Sequence, residues 1–228
     1  MPFISFSELN FIILILMQLI KVKTNHEASS ESIKFITDYI KKKDNKLNIA
    51  FTGGRFSKFF LTQLAATSLL NKKLRIFQTD ERFVPTDHSE SIQGMIMNNF
   101  KSRDNIENCF FDVTLTPENS ASEMEKKINN FKLIGFDITT LSLGEDGHLA
   151  GNFPNSKDLG QRITYNIHAP KLPKERISFS INWLSKSSLI ILFVIGPEKD
   201  NAFRDFISGN SQFPELYNAS DKIIVIKA

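Results

Sequence analysis

Residues 47–82 read LNIAFTGGRFSKFFLTQLAATSLLNKKLRIFQTDER, and this stretch decides the fold. The apolar run 47–51 has the length of a buried strand and stops at Thr52-Gly53-Gly54-Arg55. Residues 59–70 read as a helix, and 74–77 is a second short apolar run leading into Thr79-Asp80-Glu81-Arg82. A strand, a helix and a strand in this order place the two strands parallel, because the helix carries the chain back along the sheet.

The same alternation continues in both directions. Helix 29–43 is marked by Ile33, Phe35, Ile36, Tyr39 and Ile40 at helical spacing, with Ser and Glu near its start. Further helices are predicted over 92–100, 120–131 and 197–207. Strands are predicted over 110–115, 136–143, 177–181, 189–195 and 223–226. The expectation is an α/β fold, a single doubly wound and mainly parallel sheet with helices on both faces. No internal repeat or low-complexity linker divides the chain, so residues 17–228 read as one domain that opens with a strand in MQLIKVKTN, 17–25.

Residues 1–16 read as an extension outside that domain. The apolar run FIILIL, 11–16, is shorter than the ~20 residues that cross a bilayer. A signal peptide would carry a basic start, and residues 1–10 contain neither Lys nor Arg. Deleting the extension is expected to leave folding and activity intact.

With 228 residues, 41% hydrophobic and 23% charged, the chain has a globular composition, which excludes disorder as its main state. Its 28 basic and 25 acidic side chains leave a net charge of +3, too balanced for a nucleic-acid partner and compatible with a small anionic one. Cys109 is the only cysteine, so no intramolecular disulfide forms. It reads as a half-buried apolar side chain in a reducing cytoplasm. No membrane partner is expected, and the oligomeric state is not encoded in any motif.

Ligands of open parallel sheets bind beyond the carboxyl ends of the strands. Three polar segments fall there. The paired glycines Gly53 and Gly54 let a backbone approach an anion, with helix N–H groups behind them. The same residues also suit a plain tight turn. The segment is neither a nucleotide P-loop nor GxGxxG. Asp80-Glu81-Arg82 brings two carboxylates and a guanidinium to the next strand end, as a surface ion pair or as an anion site. Gly144-Glu145-Asp146-Gly147-His148 is the strongest of the three. Its His lies on a glycine-flanked loop, with Asp146 two residues away to orient the ring. His26, His88 and His168 read as structural. No second His or Cys stands at zinc-ligand spacing from His148, so no metal is expected. Arg176 and Lys199, each near a strand end, complete the candidates for an anion pocket.

Taken together these segments resemble the 6-phosphogluconolactonase family. GEDGHLAGNFP (144–154) is similar to the family's G-x-DGH-T-A-S-L-F-P signature, and TDERFVPTDHSES (79–91) to its DER-x-V-P…D-S-N segment. NIAFTGG (48–54) matches the strand and glycine loop, KLPKERISFSI (171–181) the P-x-x-R-I-T stretch, and VIGPEKDNAF (194–203) the G-x-x-K helix start. The resemblance implies the fold shared with glucosamine-6-phosphate deaminases and a small sugar phosphate lactone as partner, with neither cofactor nor metal. It implies His148 as general base on water, Asp146 as its orienting acid, and Arg82 as stabiliser of charge or anchor of the substrate. Asp80 would meet a sugar hydroxyl, while Gly53, Gly54, Arg176 and Lys199 hold the 6-phosphate.

Departures are visible too. Arg55-Phe56-Ser57 stands where the family has Ser-Thr-Pro, and Arg55 is taken as a cationic phosphate ligand in place of the hydroxyls. Ile92 replaces an Asn, and Leu149, Gly151 and Asn152 replace Thr, Ser and Leu. Two rival readings follow. One is the deaminase branch of the superfamily, whose motif DGH-x-A-F-N-E-P has an acid where this chain has Phe153. The other is a catalytically weakened sugar-phosphate-binding protein.

Overall fold

The computed structural model describes residues 17–67, 72–100, 104–154 and 160–228; the extension 1–16 lies outside the described residues. Seven strands form one parallel sheet: β1 (Gln18–Lys21), β2 (Leu47–Phe51), β3 (Leu74–Gln78), β5 (Ile106–Asn108), β6 (Ile138–Ser142), β9 (Leu189–Val194) and β10 (Ile223–Lys227). Their spatial order is β1-β10-β9-β6-β2-β3-β5, and every neighbouring pair is parallel.

Every residue of β9 is buried, as expected where helices cover both faces of a parallel sheet. Alternate side chains go to opposite faces. Ile190, Leu192 and Val194 pack with α4 (Pro117–Asn130), the short α5 (Ile181–Leu184) and α6 (Asp200–Ile207). Leu189, Ile191 and Phe193 pack with α1 (Asn25–Lys41), α2 (Arg55–Ala65) and α3 (Ile92–Asn99). The rings of Phe56 and Phe60 lie 4.8 and 5.3 Å from that of Phe193, docking α2 on the strand that ends at the site. Truncating a buried Phe of this kind typically costs ~3–5 kcal/mol.

From β2 the chain winds outward through β3 to β5, then returns to β6 on the opposite flank of β2 and continues to β9 and β10. The reversal makes the gap between β2 and β6 the topological switch point, with a crevice beyond their carboxyl ends.

A second sheet of three antiparallel strands, β4 (Asp80–Arg82), β8 (Arg176–Phe179) and β7 (Ile163–Asn166), was not expected. Of the predicted 177–181 strand, 177–179 belong to this sheet rather than to the main one, and Ile181 opens the short α5. Thr79 explains the junction, since its N–H donates to the Phe51 carbonyl of β2 (2.9 Å) and its carbonyl accepts from Phe179 of β8 (2.9 Å). Apolar content marks a strand as buried but does not say which sheet buries it.

Boundaries moved for identifiable reasons. Helix α1 starts at Asn25 because the Thr24 hydroxyl accepts from the Glu27 N–H, which draws polar residues into the first turn. Helix α2 starts at Arg55, immediately after the glycine loop, and ends at Ala65, short of the predicted 70; residues 68–70 lie outside the described residues. The run 110–115 is not a strand. Phe110 and Phe111 are buried without ladder pairing, and the edge strand is β5 just before them.

Candidate active site

Strand β6 delivers the loop that carries His148. Its tightness is set by hydrogen bonds from Gly144 N–H to the His148 carbonyl (2.8 Å) and from Gly147 N–H to the Gly144 carbonyl (3.1 Å). The Asp146 carboxylate is brought against His148 Nδ1 in a short hydrogen bond, and the His148 backbone N–H also donates to Asp146 (3.4 Å). The absence of a side chain at Gly144 makes this possible. A Cβ there would lie 2.1 Å from His148 Nδ1 and 2.6 Å from Asp146 Oδ1.

Phe153 stacks on the imidazole, its centroid 4.9 Å away and the planes 28° apart. With an ionised carboxylate accepting at Nδ1, the neutral ring carries its proton there and leaves Nε2 as the acceptor. Burial by itself would raise the Asp146 carboxyl. The His148 hydrogen bonds and the charges of His148 and Lys171 outweigh it and hold the acid below its ordinary value. Lys171 Nζ lies 3.4 Å from Asp146 and 3.2 Å from Glu145.

The paired-glycine loop joins β2 to α2. Gly54 has φ 107°, a conformation open to glycine, and serves as an N-cap with no side-chain hydrogen bond. The uncapped first turn of α2 therefore presents its N–H dipoles towards the crevice. Arg55, its first residue, is exposed on the rim.

In Asp80-Glu81-Arg82 strand alternation divides the labour. Asp80 and Arg82 face the cleft, whereas Glu81 points away and is 1% exposed. Its carboxylate accepts from the N–H groups of Arg82 (2.8 Å), Ile92 (2.9 Å) and Gln93 (2.6 Å), the last two opening α3. Burial still raises the Glu81 carboxyl above its usual value, with these hydrogen bonds pulling the other way.

Arg82 sits directly across the β4–β8 ladder from Arg176. Like charges opposed on a ladder repel unless an anion shares them. Arg82 Nη1 donates to the Glu90 carbonyl (2.9 Å), while its buried Nε has no hydrogen-bond partner among the described residues. Arg176 is 4% exposed and donates to the carbonyls of Pro173 (3.1 Å) and Leu172 (3.3 Å). Burial first, then the Arg82 charge, lowers its pKa. Lys199, on the 3-10 turn Pro197–Lys199 after β9, is likewise lowered mainly by burial, and its Nζ donates to Ser142 Oγ (3.1 Å).

Gly53, Gly54, Arg55, Asp80, Arg82, His148, Arg176 and Lys199 thus line a single cleft at the switch point. Asp146 does not line it and holds His148 from behind. The sequence did not point to Ser142 or Lys171, which also line the cleft. A hydroxyl at the carboxyl end of β6 is the only signal Ser142 offers, and Lys171 offers none beyond its place in KLPKER. Leu149 and Asn152 lie beneath the loop. Leu149 is fully buried, and the Asn152 amide donates to Ser178 Oγ (3.1 Å) and to the Phe179 carbonyl (2.9 Å). These departures repack the support of the site and leave its lining intact. Ile92 is likewise buried, at the start of α3.

The chain matches the family model described as "Glucosamine-6-phosphate isomerases/6-phosphogluconolactonase" over residues 22–220. A rice (Oryza sativa subsp. indica) protein named "Probable 6-phosphogluconolactonase 2" is 30% identical over 217 residues, covering 83% of this chain and 78% of that one. A 6-phosphogluconolactonase of Borreliella burgdorferi is 29% identical over 183 residues, covering 76% and 78%. Among solved structures, a 6-phosphogluconolactonase from Thermotoga maritima superposes with a TM-score of 0.81 at 21% identity, over 92% of this chain and 99% of that one.

Proposed function

Because the chain belongs to the glucosamine-6-phosphate isomerase/6-phosphogluconolactonase family, we propose that it hydrolyses 6-phospho-D-glucono-1,5-lactone to 6-phosphogluconate, a step of the pentose phosphate pathway. The observation that carries this reading is the His148–Asp146 pair on the edge of a cleft that also gathers Arg55, Arg82, Lys171, Arg176 and Lys199.

His148 Nε2 takes a proton from water, whose oxygen attacks the lactone carbonyl carbon. Negative charge develops on the carbonyl oxygen, where the Arg82 guanidinium, which lines the cleft, supplies the countercharge. Collapse breaks the bond from that carbon to the ring oxygen, which leaves with the proton returned by the imidazolium. General base catalysis of this kind is worth ~10²–10⁴-fold. Asp146 keeps the proton on Nδ1 and stabilises the imidazolium. The glycine loop, Arg55, Arg176 and Lys199 hold the phosphate and orient the ring, and Asp80 takes a sugar hydroxyl.

Phe153 favours the lactonase over the deaminase reading. The position that carries a proton-shuttling acid in the deaminase motif is here an aromatic ring stacked on His148. No helix among the described residues is long and apolar enough to cross a membrane, and the free, buried Cys109 suits a reducing cytoplasm.

The test is turnover of freshly prepared lactone, with spontaneous hydrolysis subtracted. Acceleration by the wild type, abolished in a folded His148→Ala variant, supports the proposal. Ammonia release from glucosamine 6-phosphate without lactone turnover transfers the assignment to the deaminase. Binding of sugar phosphates without either reaction makes the chain a binding protein.

A further inference from the structure

Three hydroxyl side chains on β6 have no role in the scheme above, and two of them point at the cleft's walls, whereas Thr139 pairs with Ser187. Thr140 and Ser142 are two apart on the strand, hence on one face of it, and β6 is paired with β2 on one side and β9 on the other. Each hydroxyl reaches the segment that follows one of those neighbours. Thr140 Oγ1 accepts the N–H of Thr52, the residue opening the glycine loop after β2 (3.0 Å). Ser142 Oγ accepts from the Lys199 ammonium on the turn after β9 (3.1 Å) and itself lines the cleft.

We propose that Ser142 is a positioning residue for anion binding: it fixes the Lys199 ammonium over the cleft while Thr140 anchors the facing glycine loop, so that one strand sets the spacing of two phosphate-holding groups. The physical need is clear. A lysine stem is flexible, and ordering it before the ligand arrives removes that entropic cost from binding. The adjacent Glu198 carboxylate offers a competing attraction, and Arg55 and Lys171 repel the ammonium while Glu145 attracts it. Ser142 supplies a fixed, neutral acceptor that leaves the ammonium's charge for the ligand.

The inference rests on the proposed function only for the identity of the sugar. Its test is therefore a binding measurement. Inorganic phosphate and 6-phosphogluconate are titrated calorimetrically into the wild type, Ser142→Ala and Ser142→Thr, with thermal melts to confirm folding. With the lysine stem left for the ligand to order, about three- to tenfold weaker binding of both probes is predicted for Ser142→Ala, and Ser142→Thr, which keeps the hydroxyl, should bind within about twofold of the wild type. In a Lys199→Met background, Ser142→Ala should cost nothing further. In turnover, the loss should fall on KM more than on kcat.

Unchanged affinity in Ser142→Ala overturns the proposal. So does an equal loss in Ser142→Thr, or an undiminished loss in the Lys199→Met background. A wild type that binds these anions yet does not hydrolyse lactone would sink the lactonase reading while leaving this one standing. Normal turnover with no effect of Ser142→Ala would do the reverse.

Discussion

Adding one methyl group at Gly144 should disable the site while leaving most of the fold intact. The Cβ of a Gly144→Ala variant would lie 2.1 Å from His148 Nδ1, 2.3 Å from Cε1 and 2.6 Å from Asp146 Oδ1, whereas ordinary contact begins at 3.4 Å. Separating the methyl from Nδ1 requires a shift of 3.4 − 2.1 = 1.3 Å, and the ring is the movable partner because the loop backbone is held by the Gly144–His148 and Leu149–Asn152 hydrogen bonds. A displacement near 1 Å can cost ~10²-fold in rate, and full loss of the base ~10²–10⁴-fold. Expected, then, is a kcat reduced by at least about 10²-fold, with the thermal midpoint lowered modestly by an overpacking penalty of ~1–3 kcal/mol. Stopped assays of lactone consumption with the blank subtracted measure the first, and circular dichroism melts the second. A Gly144→Ala variant with wild-type kcat would refute the reasoning, as would activity lost only in proportion to the unfolded fraction.

Asp146→Asn should lower kcat by about 10²–10⁴-fold with binding of 6-phosphogluconate retained, because an amide facing Nδ1 favours the tautomer whose Nε2 is protonated; kinetics beside calorimetry decide it, and parallel losses would contradict it. Glu81→Ala removes the acceptor of three backbone N–H groups and should cost ~1–3 kcal/mol in urea unfolding. Since burial raises the Glu81 carboxyl, the folded state holds that proton more tightly than the unfolded chain. The favourable contribution is present below the ordinary value of 4.5 and fades as pH rises through the raised one. Wild-type stability relative to Glu81→Gln should therefore decline as pH climbs above 4.5, and a rise would contradict the sign. Cys109, pushed up to about 11 by burial and the Glu107 charge, should react with a thiol reagent at pH 8 only on unfolding. Saturating 6-phosphogluconate should raise the thermal midpoint, by ~2.7 kcal/mol of stabilisation at a hundred times Kd, and Arg176→Ala should blunt that gain.

The parallel sheet, the helices on both faces and the Gly-flanked histidine are readable from the chain because they are local in origin. Apolar runs such as 47–51 and 189–195 encode burial, and Gly144 and Gly147 encode a turn that no larger residue would make as tightly. The charge cluster is different. Arg82 and Arg176 are 94 positions apart, and only the antiparallel pairing of β4 with β8 sets them face to face. The separate three-stranded sheet was missed for the same reason, since pairing partners are chosen by long-range geometry that periodicity does not carry. Glu81 looked equivalent to Asp80 in the sequence, yet a one-residue step along β4 turns it away from the cleft to cap α3. Ser142 and Lys171 were invisible because a hydroxyl or an amine has meaning only beside its partner. Local patterning thus determined which elements form and where the reactive loop lies. Which charges converge there, and what holds them, was decided by the crossing of strands that the chain brings together from distant positions.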